Sequence, residues 1–322
     1  MAFAEPDYRG FAETFEAIAT NVEQIIEGKA EVIRLALIGL AAEGHLLIED
    51  VPGVGKTMLA KAIARSINCE WRRLQFTPDL LPSDVTGVGV YDAELKHFVF
   101  KPGPIFANIV LGDEINRASP KTQSALLESM EEHQVSVDGV TYALPRPFMV
   151  MATQNPIEHV GTYPLPESQL DRFIMRLSMG YPDAASSLRI LDRHGATEPV
   201  YSLEAVVNEQ GVVALIEGAR SVHAAEALKR YIVDLAEATR THPGVSLGAS
   251  PRACLFLLRA SRAKAASEGR DYVLPDDVKA LAKPVLAHRL LLSPQAQSRG
   301  RTQEDLVTEL LSTIPVPSPS RK

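Results

Sequence analysis

Residues 50–57 read DVPGVGKT, and these are the residue types that hold a phosphate. Glycines let backbone N–H groups turn inward, and a helix beginning at Lys56 would add free N–H groups and a positive dipole end. Lys56 can neutralise the β- and γ-phosphates, and the Thr57 hydroxyl can ligate Mg²⁺. The predicted cofactor-binding set is Pro52, Gly53, Val54, Gly55, Lys56, Thr57 and Met58. The strict pattern asks for glycine five positions before Gly55, and Asp50 stands there instead. A Gly-rich turn carrying a surface lysine is the alternative.

A second chemical signal is the run IVLGDE at 109–114, an apolar stretch ending in two carboxylates. Asp113, at the end of a strand, can hold the shell of the Mg²⁺, giving a metal pair of Thr57 and Asp113. Glu114 can polarise a water for attack on the γ-phosphate. Alone, an Asp-Glu pair could equally be a helix start favoured by the dipole. The upstream phosphate loop, with an intervening strand, turns the pair into the second half of one reaction.

The elements that must position these groups are legible as apolar periodicities. Helices are predicted over 11–27, 30–42 and 56–67, and buried strands at 45–49, 109–111, 148–152 and 173–177. Strands alternating with helices indicate an α/β parallel sheet. Residues 135–137 and 140–142 alternate in polarity around Asp138-Gly139, a two-residue hairpin signal. A weaker hairpin pairs 88–91 with 98–100. Beyond Asp183 no strand signal is present, and helical spacing recurs near 184–194, 203–220, 224–240, 252–267 and 276–290. Two domains are expected: an α/β core over 1–182 and a helical domain over 183–322, with a mobile Pro-rich end at 315–320.

Composition narrows the function classes. The chain has 322 residues, 46% hydrophobic and 23% charged, an ordinary globular balance. Residues 1–182 carry 15 basic and 24 acidic side chains, and 183–322 carry 18 and 16, so neither part is a basic nucleic-acid-binding body. Cys69 and Cys254 stand far apart with no metal-ligand spacing around them, so a disulfide framework or zinc site is not expected. The eight histidines show no ligand spacing. The N-terminus lacks a signal-peptide layout, and the apolar stretch 32–42 is too short to span a bilayer and contains Arg34. The expectation is a soluble, cytoplasmic protein.

Four segments carry a family likeness. IVLGDEINRASPKTQSALLESMEE (109–132) and MATQNPIEHVGTYPLPESQLDRFIMR (151–176) strongly resemble the MoxR family of AAA+ ATPases. LIEDVPGVGKTMLAKAIAR (47–65) and GASPRA (248–253) are similar to it too, and the likeness runs from about Ile26 to about Arg289. Asp50 fits this family better than the strict loop pattern. The resemblance implies a five-stranded parallel α/β core followed by an all-α lid. It also implies a ring, commonly of six, with ATP at the subunit interfaces. The hairpins at 135–144 and 88–100 would be inserts of the wider clade.

By the same resemblance Asn155 is the first sensor, orienting the attacking water, although an Asn before Pro156 also suits a plain turn. Arg172 resembles the arginine finger that reaches a neighbour's γ-phosphate; an ion pair with Asp171 or Glu167 is the alternative. Arg252 resembles the second sensor, touching the γ-phosphate of its own chain; a surface arginine at a helix start, where the dipole opposes its charge, is the alternative. Ile25, Ile26 and Gly28 resemble the adenine-lining stretch, with plain packing equally open. Arg117 would face the interface or the pore, and Glu158 and His159 receive no chemistry. The implied activity is Mg²⁺-dependent ATP hydrolysis driving chaperone-like remodelling, activation or metal insertion in a client, with a von Willebrand factor A domain partner. A nucleic-acid motor is disfavoured by the acidic core and by the absence of Lys or Arg in the 135–144 hairpin. A nucleotide-dependent scaffold with little turnover is disfavoured by Glu114, Asn155 and Arg172.

Overall fold

The computed structural model describes residues 7–156, 161–193 and 199–316; Glu158, His159 and positions 317–320 of the Pro-rich end lie outside them. The chain opens with α1 (Tyr8–Glu23) and α2 (Ala30–Ala41), followed by β1 (Leu46–Glu49) and α3 (Lys56–Ser66). Next come β2 (Trp71–Gln75), the short α4 (Pro82–Thr86), the hairpin β3 (Gly87–Asp92) and β4 (His97–Pro102), and β5 (Ile109–Asp113). The helix α5 (Pro120–Glu132) leads to a second hairpin, β6 (Gln134–Val137) and β7 (Val140–Ala143). Then follow β8 (Met149–Gln154), α6 (Glu167–Leu170) and β9 (Met175–Leu177).

Five strands form one parallel sheet in the order β2-β5-β8-β1-β9. Period-two alternation sends their side chains to two cores. Leu46, Ile48, Ile109, Leu111, Met149 and Met151 face the helices of the first core, and Leu47, Val110, Val150 and Ala152 face the second, with Leu126 and Leu127 of α5. Strands buried on both faces read as continuous apolar runs, which is why four of the five were visible in the sequence. The fifth, β2, was not predicted. Its residues Trp71-Arg72-Arg73-Leu74-Gln75 form an edge strand in which only Leu74 is buried.

After β9 the chain is mainly helical: α7 (Ala184–Arg193), α8 (Glu209–Ser221), α9 (Glu226–Thr241), the strand β10 (Val245–Leu247), α10 (Pro251–Ser267) and α11 (Pro275–Leu286). It ends with β11 (Leu291–Leu292), α12 (Pro294–Ser298) and α13 (Gln303–Thr313). The expectation of no strand here is corrected, since β10 and β11 pair antiparallel. Strands of three and two residues are too short to show alternation. The central helix α10 packs on α8, α9 and α11 and also on α1 and α2, so the helical part and the sheet share one continuous apolar core. The whole is a five-stranded parallel α/β core followed by a mainly helical part, the architecture that the resemblance implies.

Candidate functional site

Because all five strands are parallel, their carboxyl ends lie along one edge. The register pairs Glu49 with Gln154, Gly112 with Ala152 and Gln75 with Asp113. Residues just beyond those positions therefore meet: Asp50 and the phosphate loop, Asp113 and Glu114, and Asn155. The amide of Asp50 donates to the Gln154 carbonyl at 3.2 Å, which sets the loop directly beside the Asn155 strand end. Asn155 is itself buried.

The loop has the backbone that a phosphate cradle needs. Gly53 and Gly55 take φ of +83° and +96°, a region L side chains rarely adopt. Gly55 is the N-cap of α3 and offers no side chain to its first turn. The opening N–H groups of α3 thus receive no side-chain cap, as an anion site requires. Lys56, Thr57 and Met58 form that first turn, with Lys56 Nζ donating to the Asp50 carbonyl at 2.8 Å. Burial lowers the Lys56 pKa, while Asp113, Asp50 and Glu114, in that order, hold its proton on.

Asp50, the departure from the strict pattern, has a structural role here. Its carboxylate accepts from the amides of Gly180 (2.7 Å) and Val51 (2.9 Å) and from Ser178 Oγ (3.0 Å). Burial raises its pKa, but these bonds to the charged form outweigh burial and the net shift is downward. The staple draws the chain after β9 against the loop. That same chain reaches the turn at 25–29: Lys29 Nζ donates to the Tyr181 carbonyl at 2.9 Å, and a Cβ on Gly28 would meet Ser186 Oγ at 2.7 Å. Ile26 is buried in the first core with Ile25 partly buried beside it, so the proposed adenine-lining segment is tied to the phosphate loop through one connecting stretch.

The acidic pair is held by residues that sequence reasoning missed. Asp113 Oδ1 accepts from Thr153 Oγ1 at 2.7 Å, and Oδ2 accepts from Arg73 Nη2 at 2.6 Å and Nε at 3.1 Å. Glu114 adopts a left-handed backbone, φ 57° and ψ 50°, which turns its side chain away from the strand line. Its amide donates to Thr153 Oγ1 at 2.9 Å, and its Oε2 accepts from Gln75 Nε2 (2.8 Å) and Arg117 Nη1 (3.0 Å). Arg117 thus lies on the Glu114 carboxylate of its own chain. Arg73 and Gln75 stand two apart on β2 and reach the pair across the sheet edge. The available signal was the polar residues at the end of WRRLQ, but the strand carrying them was not recognised.

Among the described residues no group of three or more His, Cys, Asp or Glu could hold a metal. A loop hydroxyl and one carboxylate nevertheless suit Mg²⁺, which keeps several waters and takes phosphate oxygens as ligands. Thr57 and Asp113 are the residues that would hold it, and bound Mg²⁺ would supply charge neutralisation at the phosphates. Neither cysteine is activated: both are free, and burial pushes the Cys69 thiol up to about 12.

Arg172 and Arg252 stand elsewhere. Arg172 precedes β9, at the amino end of the strands, and Arg252 lies in the first turn of α10. Both grip Glu131 on the last turn of α5: Arg172 Nε at 3.2 Å from Oε2, and Arg252 Nη2 on Oε1. They line a cavity of about 270 Å³ with His45, the residue before β1. Lys56 follows the other end of β1. The structure therefore does not bring Arg252 to the phosphate loop of its own chain, as the sequence had led us to expect; it groups Arg252 with Arg172 at the opposite end of the sheet. Nor does Arg172 pair with Asp171 or Glu167. Asp171 accepts instead from Ser250 Oγ (2.9 Å) and from the buried Arg289 (Nε, 2.8 Å). Burial brings the pKa of Arg289 down to about 10, and Asp171 opposes that fall.

Comparison with known proteins agrees with this architecture. The ATPase family associated with various cellular activities (AAA) matches residues 45–175, and the AAA lid domain matches 237–310. An uncharacterized protein of Bacillus subtilis, YeaC, is 50% identical over 92% of this chain and 93% of its own. Chaperone MoxR1 of Mycobacterium tuberculosis is 41% identical over 94% of this chain and 82% of its own. A solved crystal structure from Cytophaga hutchinsonii, 36% identical, superposes with a TM-score of 0.91 over 98% of both chains. A nucleotide cradle and acidic pair on a five-stranded parallel sheet, together with these relatives over nearly the whole length, make the chain a member of the MoxR family of AAA+ ATPases.

Proposed function

We propose that this protein hydrolyses ATP with Mg²⁺ at the interface between two of its own subunits in a ring, commonly of six, and uses the cycle for chaperone-like remodelling of a client. The observation that supports this reading best is the separation of the machinery. Lys56, Thr57, Asp113, Glu114 and Asn155 occupy the carboxyl edge of the sheet, and Arg172 and Arg252 the amino edge. One subunit then supplies the cradle, metal ligands and water-activating base. The next supplies two arginines to the developing phosphate charge, a contribution worth ~10³–10⁵ in rate for arginine fingers elsewhere.

The relative named Chaperone MoxR1 supports the remodelling role. The family likeness supports a partner with a von Willebrand factor A domain and a client whose activation or metal loading depends on ATP. The two hairpins would act on the client together, since Phe100 of β4 stacks on Tyr142 of β7 with ring centroids 4.0 Å apart. No helix among the described residues is long and apolar enough to cross a membrane.

The decisive experiment mixes two inactive variants. Lys56→Ala cannot hold ATP, and Arg172→Ala cannot complete its neighbour. Mixed rings contain interfaces with an intact cradle and an intact finger, so activity should return in the mixture. Absence of any mixing effect counts against catalysis in trans.

A further inference from the structure

Two guanidinium groups repel unless an anion lies between them. Arg172 and Arg252 come from segments 80 residues apart in sequence, yet each meets one oxygen of the same carboxylate, Glu131. Among the described residues Glu131 is the acid that each of them meets. The neighbouring Glu43 is already engaged by Arg146, Arg220 and Arg259 and is not available to replace it. Arg252 also sits on the first turn of α10, where the helix dipole opposes a cation and a counter-anion is needed.

The pair is assembled independently of Glu131. Asp171, adjacent to Arg172, accepts from Ser250 Oγ, the N-cap of the helix that carries Arg252. The buried Arg289 clamps the same Asp171. Core and lid are thereby locked so that both guanidinium groups point at one place. Oxygens of a single anion fill that place, and the phosphate of an incoming subunit makes the same chemical demand. The Glu131 carboxylate is about one-third exposed at the rim of the cavity, so an arriving phosphate can displace it without unfolding the end of α5.

We propose that Glu131 is the resting counter-ion of Arg172 and Arg252: it holds the pair in the free subunit and yields both to a neighbour's phosphate when subunits close on ATP. This rests on the trans reading above and adds to it a counter-ion that is released before catalysis. Each ATP-driven interface then forms at the cost of two ion pairs within a subunit, which makes Glu131 a brake on assembly at low protein concentration.

The test measures, by sedimentation, the subunit concentration at half-maximal ATP-dependent assembly, with hydrolysis followed in parallel. Glu131→Gln should lower that midpoint about three- to tenfold, as loss of two partly exposed ion pairs predicts, with kcat at saturating subunit concentration unchanged. Glu131→Ala should act in the same direction, and Glu131→Asp, which keeps the charge, should hold the parental midpoint. An unchanged or raised midpoint in Glu131→Gln with native circular dichroism overturns the proposal, as does an equal fall in Glu131→Asp. Arg172→Ala is run alongside. If it assembles and hydrolyses like the parent, the trans reading fails and the brake falls with it. If it loses both while Glu131→Gln shifts nothing, the brake alone is wrong.

Discussion

Arg73 Nη2 lies 2.6 Å from Oδ2 of Asp113, the carboxylate assigned to the metal. With Thr153 on Oδ1, both oxygens are engaged by the protein itself. A magnesium shell held by Asp113 would need at least one of them, so metal and guanidinium would compete for the same position. The side chain of Arg73 is about half exposed, and its Nη2 also donates to Gln75 Oε1 at 2.8 Å.

Arg73→Met should therefore lower the Mg²⁺ concentration for half-maximal ATP hydrolysis, by about threefold for an ion pair of this exposure. Nucleotide binding without Mg²⁺ should change little. A higher Mg²⁺ requirement in the variant would show instead that Arg73 orients Asp113 for the metal.

Asp50→Ala should loosen the loop without touching a phosphate ligand. It leaves the Gly180 amide and Ser178 without their acceptor, a loss of about 1–3 kcal/mol in unfolding free energy. Because the folded pKa of Asp50 is depressed, its contribution is present above the ordinary carboxylate range and is lost as pH falls through the lower, folded value. Urea unfolding of parent and variant at pH 7 is the check, and ATP affinity should weaken in step. Equal stability would remove the staple from the account.

How much of this was legible in the sequence follows from what each residue must do locally. Gly53, Gly55 and Lys56 announce themselves because the backbone demands and the chemistry fall within a few adjacent positions. Asp113 stands at the end of a strand that is buried on both faces and so shows in the sequence as a continuous apolar run. Arg73 and Gln75 act from an edge strand whose side chains are mostly exposed, so no apolar run marks it. Their meeting with Asp113 and Glu114 is set by sheet order, which local pattern does not specify. The placement of Arg252 depends on how α10 packs across α1 and α2 and reaches Glu131, 121 residues earlier in the chain. The resemblance supplied a role for Arg252, but only the fold showed which end of the sheet it occupies.

Glu114 carries the assignment of general base. Its carboxylate is oriented by Gln75 and Arg117, and Gln in its place keeps the shape while removing the proton acceptor. Glu114→Gln should bind ATP with near-parental affinity and turn over at least a hundredfold more slowly, in line with the ~10²–10⁴ typical of a general base. With ATP it should remain in an assembled ring, and a client retained on that ring can be identified by mass. Near-normal hydrolysis would reject Glu114 as the base.

His45 couples the arginine cavity to acid stability. Its Nδ1 accepts from the Val150 amide at 3.0 Å, so the ring proton sits on Nε2 and is donated to the Met130 carbonyl at 3.0 Å. Burial pushes its pKa down to about 3; the Met130 bond opposes this, and His133 and Arg259 reinforce it. In the unfolded chain the same ring takes up a proton near pH 6.5. Stability is therefore complete above that value and falls as pH drops from about 6.5 toward 3, by up to about 1.4 kcal/mol per pH unit. His288, buried and also held neutral, adds a second contribution of the same sign. His45→Gln should remove one of the two, so the slope of unfolding free energy between pH 6 and 5 should be shallower than in the parent. Identical slopes would mean that His45 takes up its proton in the folded protein as readily as in the unfolded chain.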